Sequence, residues 1–354
     1  MLRQPMMEML FFTLLAVVSA MAPGPCDITG EAGNPCVAAH STVRALFAAN
    51  VGPLYEVTRS SDGASSDVGV LASGFANATA HDEFCAELDC VISKVYDQSP
   101  MGNDLYQRHK LVNASRHPIL VGAGVPVYGM WFDQGYGYHC DDTTGVATGN
   151  EEESLYAVMS GTRRQKGGGG CCFDYGNSEN SVVAKNRSDG AGAMEAIYFG
   201  DARWMGNSGD GDGPWVGADL EAGMYYGGGN ATKTNPRNKP LPYPFVSLYL
   251  GGREDGFVLK GGDATRGELA TMYDGPRPDC KIAGTCQRHK NATYTPSYQP
   301  MHKQGAIILA TGGDESNDAL GNFYEGFMVT GATTAATDAA VQANIVAVGY
   351  TTRE

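Results

Sequence analysis

Trp215-Val216-Gly217-Ala218-Asp219-Leu220-Glu221-Ala222-Gly223-Met224 is the stretch on which the fold assignment turns. At the two-residue period of a strand, Val216, Ala218, Leu220, Ala222 and Met224 share an apolar face. Trp215, Gly217, Asp219, Glu221 and Gly223 share the other. The pattern predicts a strand with one buried face and one face that sets two carboxylates beside an aromatic ring and two positions without side-chain bulk. Similar short apolar runs, broken by Gly, Pro, Asn or Asp, recur at residues 156–159, 195–199, 245–250, 256–259, 306–310 and 323–330. Many short strands punctuated in this way predict an all-β sandwich.

The composition agrees. Of 354 residues 48 are Gly, roughly twice ordinary usage and far below the one-third of collagen. Apolar residues make up 42 % and charged residues 18 %, enough to bury a core and too few charges for a disordered polymer. Lys plus Arg is 25 and Asp plus Glu is 39, a net charge of −14 that argues against a nucleic-acid partner, whose phosphates are bound by clustered cations. A few short helices are expected among the strands. Ser41 is placed to cap one carrying Val43, Leu46 and Phe47, and another spans 81–85. Strands are expected at 54–59 and 91–96. Near the C-terminus an Ala-rich segment, 334–343, suits a helical turn or two, and the β-branched run 345–348 reads as a last strand.

Residues 1–20 have the form of a secretory signal: Arg3, an apolar stretch over 10–18, then small residues that allow cleavage after Ala20 or Ala22. The stretch is too short to span a membrane, so export without a membrane anchor is expected, with residues 23–354 forming one domain. Sequons at Asn77, Asn113, Asn186, Asn230 and Asn291 fit a secreted glycoprotein. In that compartment the nine cysteines imply disulfides, and sequence proximity pairs Cys26 with Cys36, Cys85 with Cys90 and Cys280 with Cys286. Cys140 is left over. Cys171 and Cys172 are adjacent, so across a trans peptide their Cα atoms lie about 3.8 Å apart, short of the usual disulfide range. Either they bond to each other, giving a small rigid apolar plate of the kind kept at binding sites, or one pairs with Cys140. Gly167 to Gly170, just before them, give the backbone freedom to deliver such a plate, or form a plain loop tip. No pair of Cys-x-x-Cys elements and no His-x-x-x-His pair is present, so no metal or other cofactor is expected.

Two carboxylate segments could carry chemistry. Asp219 and Glu221, two residues apart on one strand face, should push one pKa upward, a property of acid–base sites that a solvated strand also shows. Asp314 follows the buried-strand run 305–311 and the pair Gly312-Gly313, a place where a turn can project a carboxylate into a cleft. Asp210-Gly211-Asp212-Gly213 begins like a calcium loop, but Trp215 occupies the position that requires Gly. Serine-hydrolase and dinucleotide motifs are missing.

Several ordered motifs now coincide: Gly24-Pro25-Cys26-Asp27-Ile28, Pro35-Cys36-Val37-Ala38-Ala39-His40-Ser41-Thr42, Tyr96-Asp97-Gln98-Ser99, Cys171-Cys172-Phe173-Asp174-Tyr175-Gly176-Asn177, Met194 through Asp201, Gly213-Pro214-Trp215, Asp219-Leu220-Glu221 and Gly305 through Asp314. Together, over about residues 24–350, they resemble the α-L-arabinofuranosidases of glycoside hydrolase family 54. The resemblance implies a concanavalin-like, jelly-roll β-sandwich and exo-acting, retaining release of terminal arabinofuranosyl groups from arabinoxylan- and arabinan-type plant cell-wall polysaccharides. It implies Glu221 as nucleophile and Asp314 as general acid/base, with carboxyls roughly 5 to 5.5 Å apart. It also implies a Cys171–Cys172 disulfide packed on the sugar, arabinose contacts from Asp219, Gly223 and Gly313, and an aromatic wall from Trp204. Ala222 falls among the substrate contacts where the family usually has Asn, so a sugar hydrogen bond is expected to be missing. Residues 280–296 look like an insertion. Relatives usually continue into a β-trefoil arabinose-binding module, and its absence here predicts weaker retention on polymers. The expected product is a secreted monomer. The competing expectations are a lectin-like sandwich that binds arabinose without cutting it, and a glycosidase for another furanose such as galactofuranose.

Overall fold

Strands that are apolar on alternate residues bury that face by stacking one sheet on another. The computed structural model describes residues 22–164, 170–180, 194–203, 207–221, 223–227, 233–278 and 303–353, and two large sheets dominate it. In the first, the strands run in the order Cys36–Ser41, Gly321–Thr330, Glu153–Met159, Val246–Gly252, Gly256–Asp263, Ala270–Pro276, with Met130–Phe132 also paired to Gly321–Thr330. In the second the order is Met224–Tyr225, Trp215–Asp219, Glu195–Gly200, Asp174–Ser178, Ala306–Leu309, Tyr138–Cys140, Leu105–Gln107, Cys90–Val95, Tyr55–Arg59, Ser65–Val68. All ladders in both sheets are antiparallel, the arrangement expected of a sandwich.

The core lies between the sheets. Val216, Ala218 and Leu220 enter it together with Ile197, Phe199, Tyr175, Ile307 and Leu309 from the same sheet and Leu155, Leu248 and Phe323 from the other. The sheets approach closely at Gly326, where a Cβ would lie 2.6 Å from the Tyr175 ring, so only glycine leaves room for that ring. Helix α1 (Pro25–Glu31) and helix α2 (Ala78–Cys85) sit at the periphery. Helix α3 (Ala335–Val346) packs on the first sheet, where Tyr156 donates from its hydroxyl to Asp338 at 2.7 Å and Lys260 pairs with the same carboxylate. No helix among the described residues is long and apolar enough to cross a membrane.

Three local expectations need correction. Ser41 ends a strand, and its Oγ accepts from the backbone N–H groups of Val43 and Arg44 at 3.0 and 3.1 Å, but no helix follows. Arg44 is held extended by its bridge to Phe75 and by two bonds to Glu325 at 2.7 and 2.8 Å. Residues 345–348 are not a strand: α3 continues to Val346, capped at its start by Thr334 accepting from Thr337 N, and Val341, Ile345 and Val348 are buried at helical spacing. The last strand is Thr351–Thr352, paired with Pro118–Val121. Third, the run 215–224 is a hairpin rather than one strand, since Trp215–Asp219 turns back into Met224–Tyr225 with Asp219 opposite Met224.

Cys26–Cys36 and Cys85–Cys90 are disulfides as expected, with Cα atoms 5.6 and 5.9 Å apart. Cys171 and Cys172 are bonded to each other, their peptide is cis, and Cys140 is a buried free thiol pushed up to about 11 by burial. Cys280, Cys286, the 280–296 insertion, residues 1–20, Asn186, Asn230 and Asn291 lie outside the described residues. Asn77 caps α2 by accepting from Ala80 N at 3.2 Å, and Asn113 Oδ1 accepts from Ser115 N at 3.1 Å. A buried ionic cluster ties distant strands together. Lys303 Nζ lies 3.3 Å from Glu153 Oε1 and 3.3 Å from Glu195 Oε2, and Arg277 donates to Glu195 Oε2 at 3.0 Å. Burial pushes Glu195 up, but Arg277 and Lys303 outweigh it and hold it below the usual range, while burial leaves Glu153 at about 7.

Candidate active site

The face of the second sheet opposite the core carries the site. Register places Gly217 beside Tyr198 and Asp219 beside Ala196, with Tyr198 beside Asp174 and Ala196 beside Gly176. Alternation then puts Trp215, Gly217 and Asp219 on the outer face, as the sequence predicts, together with Tyr198 and Asp174. Trp215, Tyr198, Tyr226, Met224 and Ala202 form an aromatic cluster under Cys172, with Cys171 packed against it. The two bonded sulfurs therefore rest on a rigid base.

Glu221 leaves the strand in the hairpin turn, which Leu220 N closes on Gly223 O at 3.2 Å. Its φ of +61° is the left-handed region that a residue with a side chain seldom adopts, and Gly223 follows at φ +129°. Asp219 Oδ1 accepts from the Glu221 backbone N–H at 3.1 Å, fixing the turn from the strand end. Asp219 Oδ2 lies 3.3 Å from Cys172 Sγ.

The Asp314 segment arrives from the strand Ala306–Leu309 and folds back over the sheet. Gly312 N donates to Ser316 O at 2.8 Å, Glu315 N to Gly312 O at 3.1 Å and Ser316 N to Asp314 Oδ1 at 3.0 Å. Gly313 sits where a Cβ would come within 2.9 Å of Ser178 Oγ and 3.0 Å of Met194 Sδ, so the turn lies flat on the sheet. Behind it, Arg108 pairs with Glu315 and His109 Nε2 is 3.2 Å from Thr311 Oγ1.

Cys171, Cys172, Asp219, Glu221, Gly223, Met224, Gly312, Gly313, Asp314 and Ser316 line one narrow cleft. It brings together seven of the nine catalytic and sugar-contact positions expected from the sequence. The other two, Trp204 and Ala222, lie outside the described residues. Sulfurs and carboxylate of Cys171, Cys172 and Asp219 lie within 4.8 Å of one another, but cysteines joined as a disulfide offer a metal no thiolate. Met224 and Ser316 were not foreseen. A single continuous strand would place Met224 on the core face, and the hairpin turns it into the cleft instead. Asp174 was not foreseen as a site residue either. It is fully buried, and burial first, then the charges of Asp219, Glu221 and Asp314, push its carboxyl well above the usual range.

The family described as "Alpha-L-arabinofuranosidase B, catalytic" matches residues 25–351. The chain belongs to that family. It is 43 % identical over 349 residues to an "Alpha-L-arabinofuranosidase" of Hypocrea jecorina, covering 95 % of this chain and 65 % of the relative. It is 42 % identical to the "Alpha-L-arabinofuranosidase B" of Emericella nidulans, covering 96 % of this chain and 64 % of that one. The chain thus spans a little under two thirds of these relatives. Among solved structures, an arabinofuranosidase complexed with arabinofuranosyl-α-1,2-xylobiose superposes with a TM-score of 0.83 at 40 % identity, over 94 % of this chain and 66 % of that one. A glutamate-to-glutamine variant of a family 54 α-L-arabinofuranosidase, soaked with 4-nitrophenyl α-L-arabinofuranoside, gives 0.82 at 40 % identity, over 93 % and 66 %. These neighbours agree with the sandwich expected for α-L-arabinofuranosidase catalytic domains.

Proposed function

We propose that the protein is a secreted, monomeric, retaining α-L-arabinofuranosidase that removes terminal arabinofuranosyl groups from arabinoxylan- and arabinan-type polysaccharides. The observation that carries this reading is the convergence of Glu221 and Asp314, from turns on separate strands, on one cleft walled by the Cys171–Cys172 disulfide, in a chain of this family. A retaining glycosidase needs two carboxyl groups with different tasks. In the proposed reaction Glu221 attacks the anomeric carbon as Asp314 gives its proton to the leaving oxygen. Asp314 then takes a proton from water, which displaces Glu221 from the glycosyl-enzyme. The strained Glu221 backbone, fixed by Asp219, holds the nucleophile in place ahead of substrate. The flat disulfide offers an apolar wall for one face of a small sugar ring.

The test uses purified protein, 4-nitrophenyl α-L-arabinofuranoside, and the Glu221→Ala and Asp314→Ala variants. Turnover by the wild type and its loss in Glu221→Ala are expected. No turnover by folded wild-type protein removes the enzyme reading, and full activity in Glu221→Ala removes the assignment of the nucleophile.

A further inference from the structure

The site holds a fourth carboxyl that the two-carboxylate reaction does not use. Asp174 opens the strand Asp174–Ser178, its side chain is wholly excluded from solvent, and neither of its oxygens meets a hydrogen-bond donor among the described residues. What it meets is Asp219. The two residues stand on the same sheet face, two strands apart and offset by two residues, with Tyr198 beside Asp174 and Ala196 beside Asp219, and their carboxyls are within hydrogen-bonding reach of each other. The Tyr198 and Tyr226 hydroxyls lie nearby but neither bonds Asp174: Tyr198 accepts from Ala202 N at 3.0 Å and Tyr226 donates to Ala202 O at 2.6 Å. Two carboxylates cannot share a contact in a dry interior, because both offer only lone pairs and both carry charge. One proton between them turns repulsion into a hydrogen bond, the arrangement of paired carboxyls elsewhere.

We propose that Asp174 is a positioning residue of this site: a neutral, buried carboxylic acid that donates a hydrogen bond to Asp219, and through Asp219 holds the turn carrying Glu221. The chain of contacts is short. Asp219 Oδ1 accepts from Glu221 N at 3.1 Å, and the Asp174 backbone O accepts from Ala310 N at 2.8 Å, just ahead of the turn that carries Asp314. Asp174 is thus joined to both catalytic segments without touching the cleft. Keeping it neutral also spares the site a further negative charge beside Asp219, Glu221 and Asp314, the groups that face it. The raised pKa of Asp174, caused first by burial and then by those carboxylates, agrees.

This inference rests on the arabinofuranosidase reading, and its test separates the two. Infrared difference spectra of wild type minus Asp174→Asn at neutral pH should show the carbonyl stretch of a protonated carboxyl, shifted on exchange into heavy water. A carboxylate stretch in its place overturns the proposal, and neither result depends on turnover. Kinetics supply the second arm. Asp174→Ala should lower kcat by about tenfold or more with KM nearly unchanged, and Asp174→Asn, whose amide can donate to Asp219, should recover most of that loss. Equal activity in Asp174→Ala and wild type overturns the positioning role. Equal losses in Asp174→Ala and Asp174→Asn overturn the donated hydrogen bond. Absence of wild-type turnover removes the function reading and leaves the infrared result to decide the protonation state.

Discussion

Gly312→Ala tests how tightly the Asp314 turn is built. Gly312 does not sit in the left-handed region, so alanine brings no backbone strain, only a methyl group. That Cβ would lie 2.6 Å from Ser316 Oγ, 3.3 Å from Asp314 Oδ1 and 3.3 Å from Cys172 Sγ. The first contact must relax, and the Ser316 hydroxyl can rotate to relieve it. The other two are tighter than usual van der Waals contact and press on the proposed acid/base and on the sugar-binding wall, each of which must yield by a few tenths of an ångström. Overpacking of this size costs about 1–3 kcal/mol of stability. A displacement of about 1 Å at reacting groups costs on the order of a hundredfold in rate, so the smaller shift here should lower kcat/KM by about tenfold. The assay pairs kcat/KM for 4-nitrophenyl α-L-arabinofuranoside with the urea unfolding midpoint. Adding Ser316→Ala removes the 2.6 Å contact and should restore most of the stability, but little of the activity, because the contacts to Asp314 and Cys172 remain. Wild-type kcat/KM in a folded Gly312→Ala protein would refute the reasoning.

Two further outcomes follow from buried charge. Lys303→Met leaves Glu153 and Glu195 with Arg277 as their one cation in the described cluster and should destabilise the protein by about 3–5 kcal/mol, read from denaturant unfolding; an unchanged midpoint would show the cluster to be dispensable. His81, buried between Tyr55 and Ser115 and stacked on Tyr128, is pushed down to about 4 by burial. Its contribution to stability is present above pH 6.5 and is lost as pH falls to about 4, by up to about 3 kcal/mol, because the unfolded chain takes up the proton first. His81→Gln should flatten that acid slope, and an identical slope in the variant would reject the assignment. Glu153 acts in the opposite sense, favouring the folded state at low pH and losing that contribution as pH rises toward about 7.

The sandwich was legible because its strands are short, apolar in alternation and separated by residues that stop them. Val216, Ala218 and Leu220 point inward as alternation requires. Alternation could not show that the chain reverses after Asp219, because the reversal depends on Glu221 adopting a left-handed backbone that its residue type disfavours. Met224 changed sides as a result. Ile345 and Val346 favour strands locally, yet they complete a helix nucleated by Thr334 and the alanines, whose buried positions Asp338, Val341 and Ile345 keep helical spacing. Glu221, Asp314 and the paired cysteines could be named from motifs. Asp174 could not be given a role, although a carboxylate in the apolar run Cys172-Phe173-Asp174-Tyr175 was the available signal. Its neighbour Asp219 comes from a strand more than forty residues away, and only the folded sheet brings the two together. The Glu153–Glu195–Arg277–Lys303 cluster is assembled in the same way, from residues far apart in the chain.

The most direct test of the account is the mass of intact Asp314→Ala protein during reaction with an aryl α-L-arabinofuranoside bearing a good leaving group. Without its general base the second step should be slow, so a covalent adduct one pentosyl group heavier should accumulate, and peptide mapping should place it on Glu221. An active wild-type enzyme whose Asp314→Ala variant carries no adduct, or carries it on another residue, contradicts the account.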